Sequence, residues 1–452
     1  MQSITGLAPS GSLGSGYNLE AFKRGLSLGP HFIGQDAGST DMGPFYHGSA
    51  TPFLPRATYK HDLAIMLKAA RQARIPLLVG SVLTSGCDST LATGLDIIRE
   101  IAREEGLSFR MAAIRAEIPK AELKRRMAEE KFESIGPEGD LTEDVIDRCG
   151  PISAQMGIEP FVKALDAGAE VIIAGRACDD AVFAAMPVLK GFDTGLALHC
   201  GKILECAGLS AIPYDLGEPM LGTINGDDFV VEPGNAKHRC TTVSVAGHSL
   251  YERGDFEFQP GPGGMNDLSQ AVFEQLDDRR VRVRGSRFVP DGRYRVKLEG
   301  AERVGFRSIV VVGIRDPIMI RELDPLLAET EARAEARFAM KANGISLMFR
   351  VYGRDAVMGK LEPGGPPPRE VGLMIDAVAP TQDQATAVAM YSRGHLQHAS
   401  YPGILTTAGN MAYPFSPFGI PVGPACRFAV YHLMAVKDPC ELFPMTIEEV
   451  RN

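Results

Sequence analysis

The feature that most constrains the fold is the alternation of short apolar runs with helix-like segments over residues 1–210. The apolar runs lie at 31–34, 76–81, 110–114 and 170–175. Amphipathic segments that end at Gly106 and Gly168 lie between them. Parallel strands joined by crossover helices give this pattern. We therefore expect an α/β fold with a doubly wound, mostly parallel sheet and helices on both faces.

The character of the sequence changes after residue 212. Residues 213–320 are rich in turn signals, such as NGDD at 225–228 and PDG at 290–292, and in runs typical of strands. Helical and strand-like segments then alternate to the end of the chain. We expect an α/β domain over 1–212 and an α+β domain over 213–452, which is β-rich at 213–320 and carries a lid-like segment at 393–424.

Composition and charge narrow the class of protein. The formal net charge is -9, which argues against a nucleic-acid partner. No apolar run is long enough to cross a membrane, and no secretory signal pattern opens the sequence. The eight cysteines are irregularly spaced without a CxxC pair, which is typical of reduced thiols. We expect a cytoplasmic enzyme with a small-molecule substrate that assembles as a homo- or hetero-oligomer.

Three of the predicted strands are followed by loops rich in acidic and small polar residues. The carboxyl ends of parallel strands meet at one edge of a sheet, so these loops should converge on one ligand-binding crevice. The candidate residues, in chain order, are Asp36, Ser85, Gly86, Cys87, Arg176, Asp179 and Asp180.

The corner VIIAGRACDDA, residues 171–181, is open to several interpretations. One of Asp179 and Asp180 can cap the helix that follows. The remaining carboxylate could move a proton, could orient Arg176 against a substrate carboxylate, or could bind Mg²⁺ in a site formed by Asp36, Asp179 and Asp180. The residue types do not choose among these roles, so we leave open whether the protein binds Mg²⁺ or no metal.

Cys87 and Cys178 also have two interpretations. Both lie near predicted helix starts, where the pKa of a thiol falls and the thiolate becomes a nucleophile. The alternative is that both are small buried side chains without a chemical role.

The glycine loop GSLGSGYN lies near the N-terminus. Its order, G-x-x-G-x-G, differs from the dinucleotide fingerprint G-x-G-x-x-G, so we expect no nucleotide cofactor. Ser15 and Gly16 lie where backbone N–H groups could approach a carboxylate or phosphate.

The segment RGHLQHASYPGILTTAGNMAYPFSPFG packs polar residues among glycines and prolines. One interpretation is an ordered loop that closes over the first domain. The other is a lid that supplies His395 as acid or base and Asn410 as a substrate contact.

Four blocks of the sequence carry a resemblance: EVIIAGRACDDAVFAAMPVLKGFD, GKILECAG, TTVSVAGHSLYERGDFEF and YPGILTTAGNMAYPFSPFG. They resemble the acyclic terpene utilisation AtuA-like family, and the last block is similar to a branch that occurs with a small companion protein. The resemblance implies breakdown of branched or hydroxylated carboxylic acids or their CoA esters, and a small companion subunit as partner. The residues that match its motifs are Ser15, Gly16, Asp36, Arg176, Asp179 and Glu205.

These observations together predict a lyase of the hydratase or dehydratase type. Arg176 would clamp the substrate carboxylate, Asp179 or Asp36 would move the proton, and backbone amides near Gly16 and Gly86 would stabilise enolate-like charge. One alternative is a hydrolase of an amide, lactone or thioester that uses Cys87 or a water held by the acidic cluster. The other is a noncatalytic large subunit of the small companion.

Overall fold

A computed structural model describes residues 3–137 and 139–451. The α-helices of the described chain are α1 (Leu19–Ser27), α2 (Pro44–Gly48), α3 (Arg56–Ala73), α4 (Asp88–Glu105), α5 (Lys120–Glu129), α6 (Glu143–Arg148), α7 (Glu159–Asp166), α8 (Asp179–Leu189), α9 (Thr194–Leu204), α10 (Thr242–Leu250), α11 (Pro317–Arg321), α12 (Leu323–Phe338) and α13 (Gln382–Gln397).

The first ten strands are β1 (Ile4–Ala8), β2 (Phe32–Asp36), β3 (Leu77–Gly80), β4 (Phe109–Ile114), β5 (Glu133–Ser134), β6 (Cys149–Ala154), β7 (Val171–Ala174), β8 (Met220–Ile224), β9 (Asp228–Pro233) and β10 (Phe258–Gly261). The later strands are β11 (Gly264–Asp267), β12 (Val272–Gln275), β13 (Val281–Arg284), β14 (Arg287–Pro290), β15 (Arg295–Ile314), β16 (Ser346–Tyr352), β17 (Val371–Ala379), β18 (Met411–Ala412), β19 (Ile420–Ala435) and β20 (Met445–Val450).

The chain divides into two compact units. The first comprises residues 1–302 and 428–452, and the second comprises residues 303–427. The division falls within β15 and β19, the two longest strands.

The first unit is built on a sheet of ten strands in the order β12-β13-β9-β8-β1-β2-β3-β7-β4-β20. The central strands β1, β2, β3, β7 and β4 are parallel to one another. Antiparallel strands extend both edges, with β8 paired to β1 and β20 paired to β4. Strands β10, β11 and β14 form a small antiparallel sheet in the same unit.

Both faces of the parallel strands are covered by helices. Leu7, Ile33 and Val79 pack on one face with residues of α1, α3 and α4. Phe32 and Ile172 pack on the other face with residues of α7, α8 and α9. Strands buried on both faces read as continuous apolar runs, which is why the sequence pattern found them.

The second unit pairs β16 with β17, and β17 with residues 306–314 of β15, all antiparallel. Helices α12 and α13 supply much of its core, which includes Val310, Val312, Leu326, Leu373, Ile375 and Val388. Thr381 begins α13 because its hydroxyl accepts a hydrogen bond from Gln384 N–H.

The predicted α/β class is confirmed, but the sheet is mixed rather than mostly parallel. The predicted boundary at 212/213 does not coincide with the division of the structure. Strands β8, β9, β12 and β13 follow residue 213 yet extend the first sheet, since an antiparallel strand can add directly to the edge strand β1. Within the described residues, no helix is both long and apolar enough to cross a membrane.

Candidate active site

The loops that follow β2, β3 and β7 meet at the carboxyl edge of the parallel strands. Thr84 N–H donates to Ala37 O over 3.1 Å, and Arg176 N–H donates to Gly86 O over 3.1 Å. The structure therefore brings together the three charged loops that the sequence pattern singled out. Their role in ligand binding stays a prediction.

Arg176 lies at the centre of this edge and is 3% exposed. Its Nε donates to Glu299 Oε2 over 2.6 Å, and its Nη2 lies 3.5 Å from Glu299 Oε1. Its Nη1 donates to Ser81 Oγ over 3.0 Å and to Gly38 O over 3.3 Å. Glu299 thus takes the guanidinium fork that we had assigned to a substrate carboxylate. The role of Arg176 as a substrate clamp stays a prediction, and it would require the substrate to compete with Glu299.

Glu299 is buried between two cations. Lys297 Nζ contacts Glu299 Oε1 at 2.8 Å, and Arg176 Nε contacts Glu299 Oε2 at 2.6 Å. Burial alone would raise the pKa of Glu299, but the charges of Arg176 and Lys297 hold it well below its usual range. Glu299 is therefore an ionised carboxylate that fixes Arg176 in place.

Asp179 stands on the other side of the guanidinium. Its Oδ1 lies 3.5 Å from Arg176 Nη1 and is buried, and it accepts no hydrogen bond from the part of the chain that the structure describes. The side chain as a whole is 30% exposed. A carboxylate held near a cation but left without a hydrogen-bond donor can accept a proton from a ligand.

Two further carboxyl groups lie close to Asp179. Burial raises the pKa of Asp36 well above its usual value, and the negative charges of Asp179 and Glu205 raise it further, while Arg176 opposes them. Burial and Asp179 likewise raise the pKa of Glu205. Carboxyl groups crowded in one low-dielectric region cannot all be ionised without a large cost, so the neutral forms of Asp36 and Glu205 are favoured.

A cavity of about 610 Å³ opens in front of Asp179. Besides Arg176 and Asp179, its lining includes the cationic side chains of Lys202, Arg253 and Lys297. This volume falls in the range of small-molecule sites, and acidic side chains line the cavity as well, namely Asp41, Asp179, Glu252, Asp255 and Asp291.

Arg253 is the least satisfied of these cations. Its Nη2 lies 3.5 Å from Asp180 Oδ2, while its Nε is buried and finds no acceptor among the described residues. Its side chain is 20% exposed. Arg253 is thus a lining residue of the cavity that also has unused hydrogen-bonding capacity, at its buried Nε.

A smaller space of about 50 Å³ shares Cys178 with the main cavity. Asp180 Oδ1 and Asn266 Oδ1 belong to lining residues of this space, and neither accepts a hydrogen bond from any described residue. Two unpaired acceptors in a space that can hold a few atoms suit a hydroxyl group or ordered water.

The loop after β3 is strained around Arg176. Ser81, Leu83 and Thr84 have φ values of 50°, 54° and 95°, although none is glycine. Such conformations cost about 1–3 kcal/mol each and cluster at functional sites. Here the strained backbone places Ser81 Oγ where it accepts from Arg176 Nη1 and from Ala177 N–H.

The remaining predicted residues of this loop lie inside the protein. Ser85 Oγ donates to Cys87 Sγ over 3.3 Å, and Ser89 Oγ also lies 3.3 Å from that sulfur. Cys87 is fully buried and at the start of α4. The Gly86 backbone packs against Arg176, since an added Cβ would lie 2.3 Å from Arg176 N. The proposed roles of Ser85 and Gly86 in substrate binding stay predictions.

Cys178 and the paired aspartates do not follow the predicted capping scheme. Cys178 occupies the N-cap position of α8, and neither Asp179 nor Asp180 is the cap, because both lie in the first turn. Their carboxylates face Arg176 and Arg253 instead. Burial, together with the neighbouring aspartates, raises the pKa of Cys178 well above its usual value, so its thiol is neutral and a poor nucleophile.

The glycine loop is already occupied by a carboxylate of the protein. Gly14 N–H and Gly16 N–H donate to Asp62 Oδ2 over 2.8 and 3.0 Å. The Gly16 amide is therefore not free to stabilise an enolate, which corrects that assignment. Ser15 is exposed on the same loop.

His395 and Asn410 belong to the second unit. His395 is near the end of α13, and its Nδ1 lies 2.9 Å from Thr330 Oγ1. Asn410 immediately precedes β18. Their roles in a lid over the site stay predictions.

The described residues that lie close enough together to bind a metal ion are not the predicted ones. Ligand atoms of Glu205, Cys206 and His248 lie within 4.8 Å of one another, whereas Asp36, Asp179 and Asp180 form no such group among the described residues. Asp180 Oδ2 lies 3.5 Å from Arg253 Nη2. Whether the protein binds Mg²⁺ or no metal, which the sequence left open, stays untested.

Sequence reasoning missed Lys202, Arg253, Lys297 and Glu299. Lys202 and Arg253 lie in two of the blocks that carry the family resemblance, so their position there was a usable signal. Lys297 and Glu299 alternate with apolar residues in β15 and read as ordinary strand residues.

The structure is thus an α/β protein with a cavity lined by charged residues at the carboxyl edge of its parallel strands. The model of the acyclic terpene utilisation family protein AtuA matches residues 57–417 of the chain. The chain therefore belongs to this family, which confirms the resemblance seen in the sequence. No curated protein and no solved structure matches it.

Proposed function

We propose that this protein is a catabolic enzyme that acts on a small branched or hydroxylated carboxylic acid, or its CoA ester, as a lyase of the hydratase or dehydratase type. We also infer that the parallel strands form a doubly wound core whose winding reverses next to β7. Ligands bind beyond the strand ends in such folds. Family membership supports a role in the use of acyclic terpenes.

The observation that carries the proposal is the Asp179 carboxylate at the cavity, whose buried Oδ1 lies 3.5 Å from Arg176 Nη1 but accepts no hydrogen bond from the described residues. Arg253 would bind the substrate carboxylate or a thioester oxygen, with Lys202 and Lys297 adding positive charge. Arg176, locked by Glu299, would hold Asp179 at the reacting carbon.

In dehydration, the Asp179 carboxylate removes the proton from the carbon next to the substrate carboxylate or thioester. The electron pair of that C–H bond forms an enolate that the cations stabilise. The enolate then forms the carbon–carbon double bond and expels the hydroxyl group, which takes the same proton from Asp179 and leaves as water. Asp179 returns to its ionised state, so the cycle needs no redox partner and no nucleotide.

The small space beside Asp180 and Asn266 supports a hydroxylated substrate. Its two unpaired oxygens can accept a hydrogen bond from a substrate hydroxyl. The hydrolase alternative with Cys87 gains less support, because that thiol is fully buried and its contacts are hydroxyl groups rather than a general base.

The first experiment is a thermal-shift screen of the purified chain against hydroxy acids, unsaturated acids, branched acids and CoA esters. A ligand present at 100 times its dissociation constant adds about 2.7 kcal/mol to the free energy of unfolding. Hits are then followed by NMR in D₂O for loss of water and for deuterium exchange at the carbon next to the carboxylate or thioester.

Asp179→Asn should bind the ligand and lose both dehydration and exchange. Asp96→Asn, which changes an exposed aspartate on α4, is the matched control and should keep both. Wild-type turnover in Asp179→Asn would exclude the proposed step. Binding without turnover in the wild-type chain would favour a site completed by the predicted companion subunit.

A further inference from the structure

Three side chains of different chemistry converge where α9 ends and where α10 makes its last turn. A carboxylate oxygen of Glu205, the Sγ of Cys206 and a ring nitrogen of His248 lie within 4.8 Å of one another. Glu205 and His248 are buried, and Cys206 is half-buried. The proposed lyase step uses none of these three groups.

His248 gives an independent sign that this group is incomplete. The residue is 7% exposed, and its Nε2 is buried without a hydrogen-bond partner among the described residues. A buried nitrogen left unpaired costs free energy, so native structures usually provide a partner or a bound ion. Its ring stacks on Tyr251 at 5.5 Å, which fixes the imidazole plane.

We propose that Glu205, Cys206 and His248 bind one divalent transition-metal ion, with zinc the best match. Imidazole, thiolate and carboxylate are the donors that zinc takes in proteins, at bond lengths of about 2.0–2.3 Å. Around a tetrahedral ion such donors lie roughly 3.3–3.7 Å apart. Side-chain movements of about an ångström from the present arrangement therefore suffice.

Metal binding requires Lys202 to leave its present partner, Glu205. Its Nζ contacts Glu205 Oε1 and lies 3.5 Å from Glu252 Oε2. An ammonium at this position would repel a metal ion, but Glu252 offers it a second carboxylate within reach. The ion thus replaces Lys202 as the partner of Glu205, and Lys202 pairs with Glu252.

The electrostatic surroundings favour a cation. The carboxyl groups of Asp36 and Asp179 lie near Glu205, and a group of acidic side chains attracts a divalent ion. Binding ionises Cys206, whose proton passes to solvent. Three protein ligands leave a fourth position open, as in zinc sites that bind water or substrate.

The test uses the full chain, purified without chelators, and needs no substrate. Elemental analysis should find close to one ion per chain. After removal of that ion, titration with Co²⁺ should produce the charge-transfer absorption of a cobalt–thiolate bond.

Cys206→Ser should abolish this absorption, and His248→Gln should weaken Co²⁺ binding at least tenfold. Cys440→Ser and His61→Gln make the same chemical changes at a half-buried thiol and an exposed histidine outside the group, and should bind like the wild type. Glu205→Gln, which preserves side-chain volume, serves if Cys206→Ser does not fold, and it should also weaken binding at least tenfold.

Metal content far below one ion together with no thiolate absorption at excess Co²⁺ would overturn the site. An unchanged absorption in Cys206→Ser, or unchanged affinity in Glu205→Gln, would do the same. Because the readout is metal binding, its failure leaves the Asp179 step untouched, and failure of that step leaves the metal site untouched.

Discussion

Arg176 and Glu299 form a buried ion pair in which the guanidinium Nε donates to Oε2 over 2.6 Å. Their side chains are 4% and 1% exposed. Removing two charges from water is costly, and the pair is tolerated because each charge meets its partner at close range. The pair joins the end of β7 to β15 and makes the arginine a fixed support for Asp179.

We expect Glu299→Gln to destabilise the protein by about 3–5 kcal/mol, because it leaves the Arg176 and Lys297 charges without their carboxylate. Urea unfolding followed by circular dichroism gives the free energy of unfolding. Glu448→Gln, which removes the exposed partner of Arg99, is the control and should cost at most about 1 kcal/mol. Equal losses in the two variants would contradict the importance of the buried pair.

The same pair predicts how stability depends on pH. Burial opposes ionisation, yet Arg176 and Lys297 hold the folded-state pKa of Glu299 below its ordinary value of 4.5. The ionised carboxylate therefore contributes its full stability above pH 4.5, and that contribution is lost as the pH falls towards the folded pKa.

We therefore expect the free energy of unfolding of the wild type to decrease on acidification below pH 4.5, and Glu299→Gln to decrease less steeply there. Denaturant unfolding at a series of pH values measures both slopes. Parallel slopes for the two proteins would mean that other carboxyl groups dominate acid unfolding.

Gly86 permits a close approach of the loop after β3 to the backbone of Arg176. It has φ of 59°, and an added Cβ would lie 2.3 Å from Arg176 N. Gly29 also has positive φ, 72°, but an added Cβ there meets no atom of the described chain within 4 Å.

Gly29→Ala thus measures the cost of left-handed backbone alone, about 1–2 kcal/mol. Gly86→Ala should cost at least about 1–3 kcal/mol more, because it also forces backbone atoms apart. Thermal or urea unfolding distinguishes the two. A Gly86→Ala loss no larger than that of Gly29→Ala would show that the loop can move aside.

The sequence predicted the parts of the fold that depend on local pattern. Buried parallel strands such as β3 and β7 are continuous apolar runs. Helix α4 ends at Gly106, which adopts the left-handed conformation that glycine takes readily. Strand β1 is not among the apolar runs found in the sequence, because two of its five residues are Gly and Ala, which strands disfavour. The predicted domain boundary differs from the division into compact units because a change of local pattern does not reveal which sheet a strand joins.

The site shows the same limit. In a parallel sheet the loops that follow the strands meet at one edge. The sequence could therefore identify Asp36, Arg176 and Asp179 as candidates for one site. The sequence could not show that Arg176 pairs with Glu299, because Glu299 lies 123 residues away along the chain. The Gly16 amide was misassigned for the same reason, since Asp62 is distant in sequence and carries no local sign of its role.

Asp62 gives a further test. Its Oδ2 accepts from Gly14 N–H and Gly16 N–H. We expect Asp62→Asn to cost about 1.5–3 kcal/mol, since an amide oxygen is a weaker acceptor and its NH₂ group faces donors. Urea unfolding against the exposed control Asp96→Asn measures the difference. A loss of less than about 0.5 kcal/mol would show that the loop does not depend on this carboxylate.

Arg253 and Arg176 should differ in their kinetic signatures once a substrate is identified. Arg253 lines the cavity, so under the proposed function Arg253→Ala removes a contact to the bound acid and should raise KM at least tenfold with a smaller change in kcat. Arg176→Lys keeps the charge but loses the fork that holds Glu299, so Asp179 is misplaced and kcat should fall with KM nearly unchanged. Arg99→Ala, on the exposed face of α4, should alter neither constant. A fall in kcat alone for Arg253→Ala would contradict this prediction, because it would mean that Arg253 acts in the transition state rather than in binding the substrate.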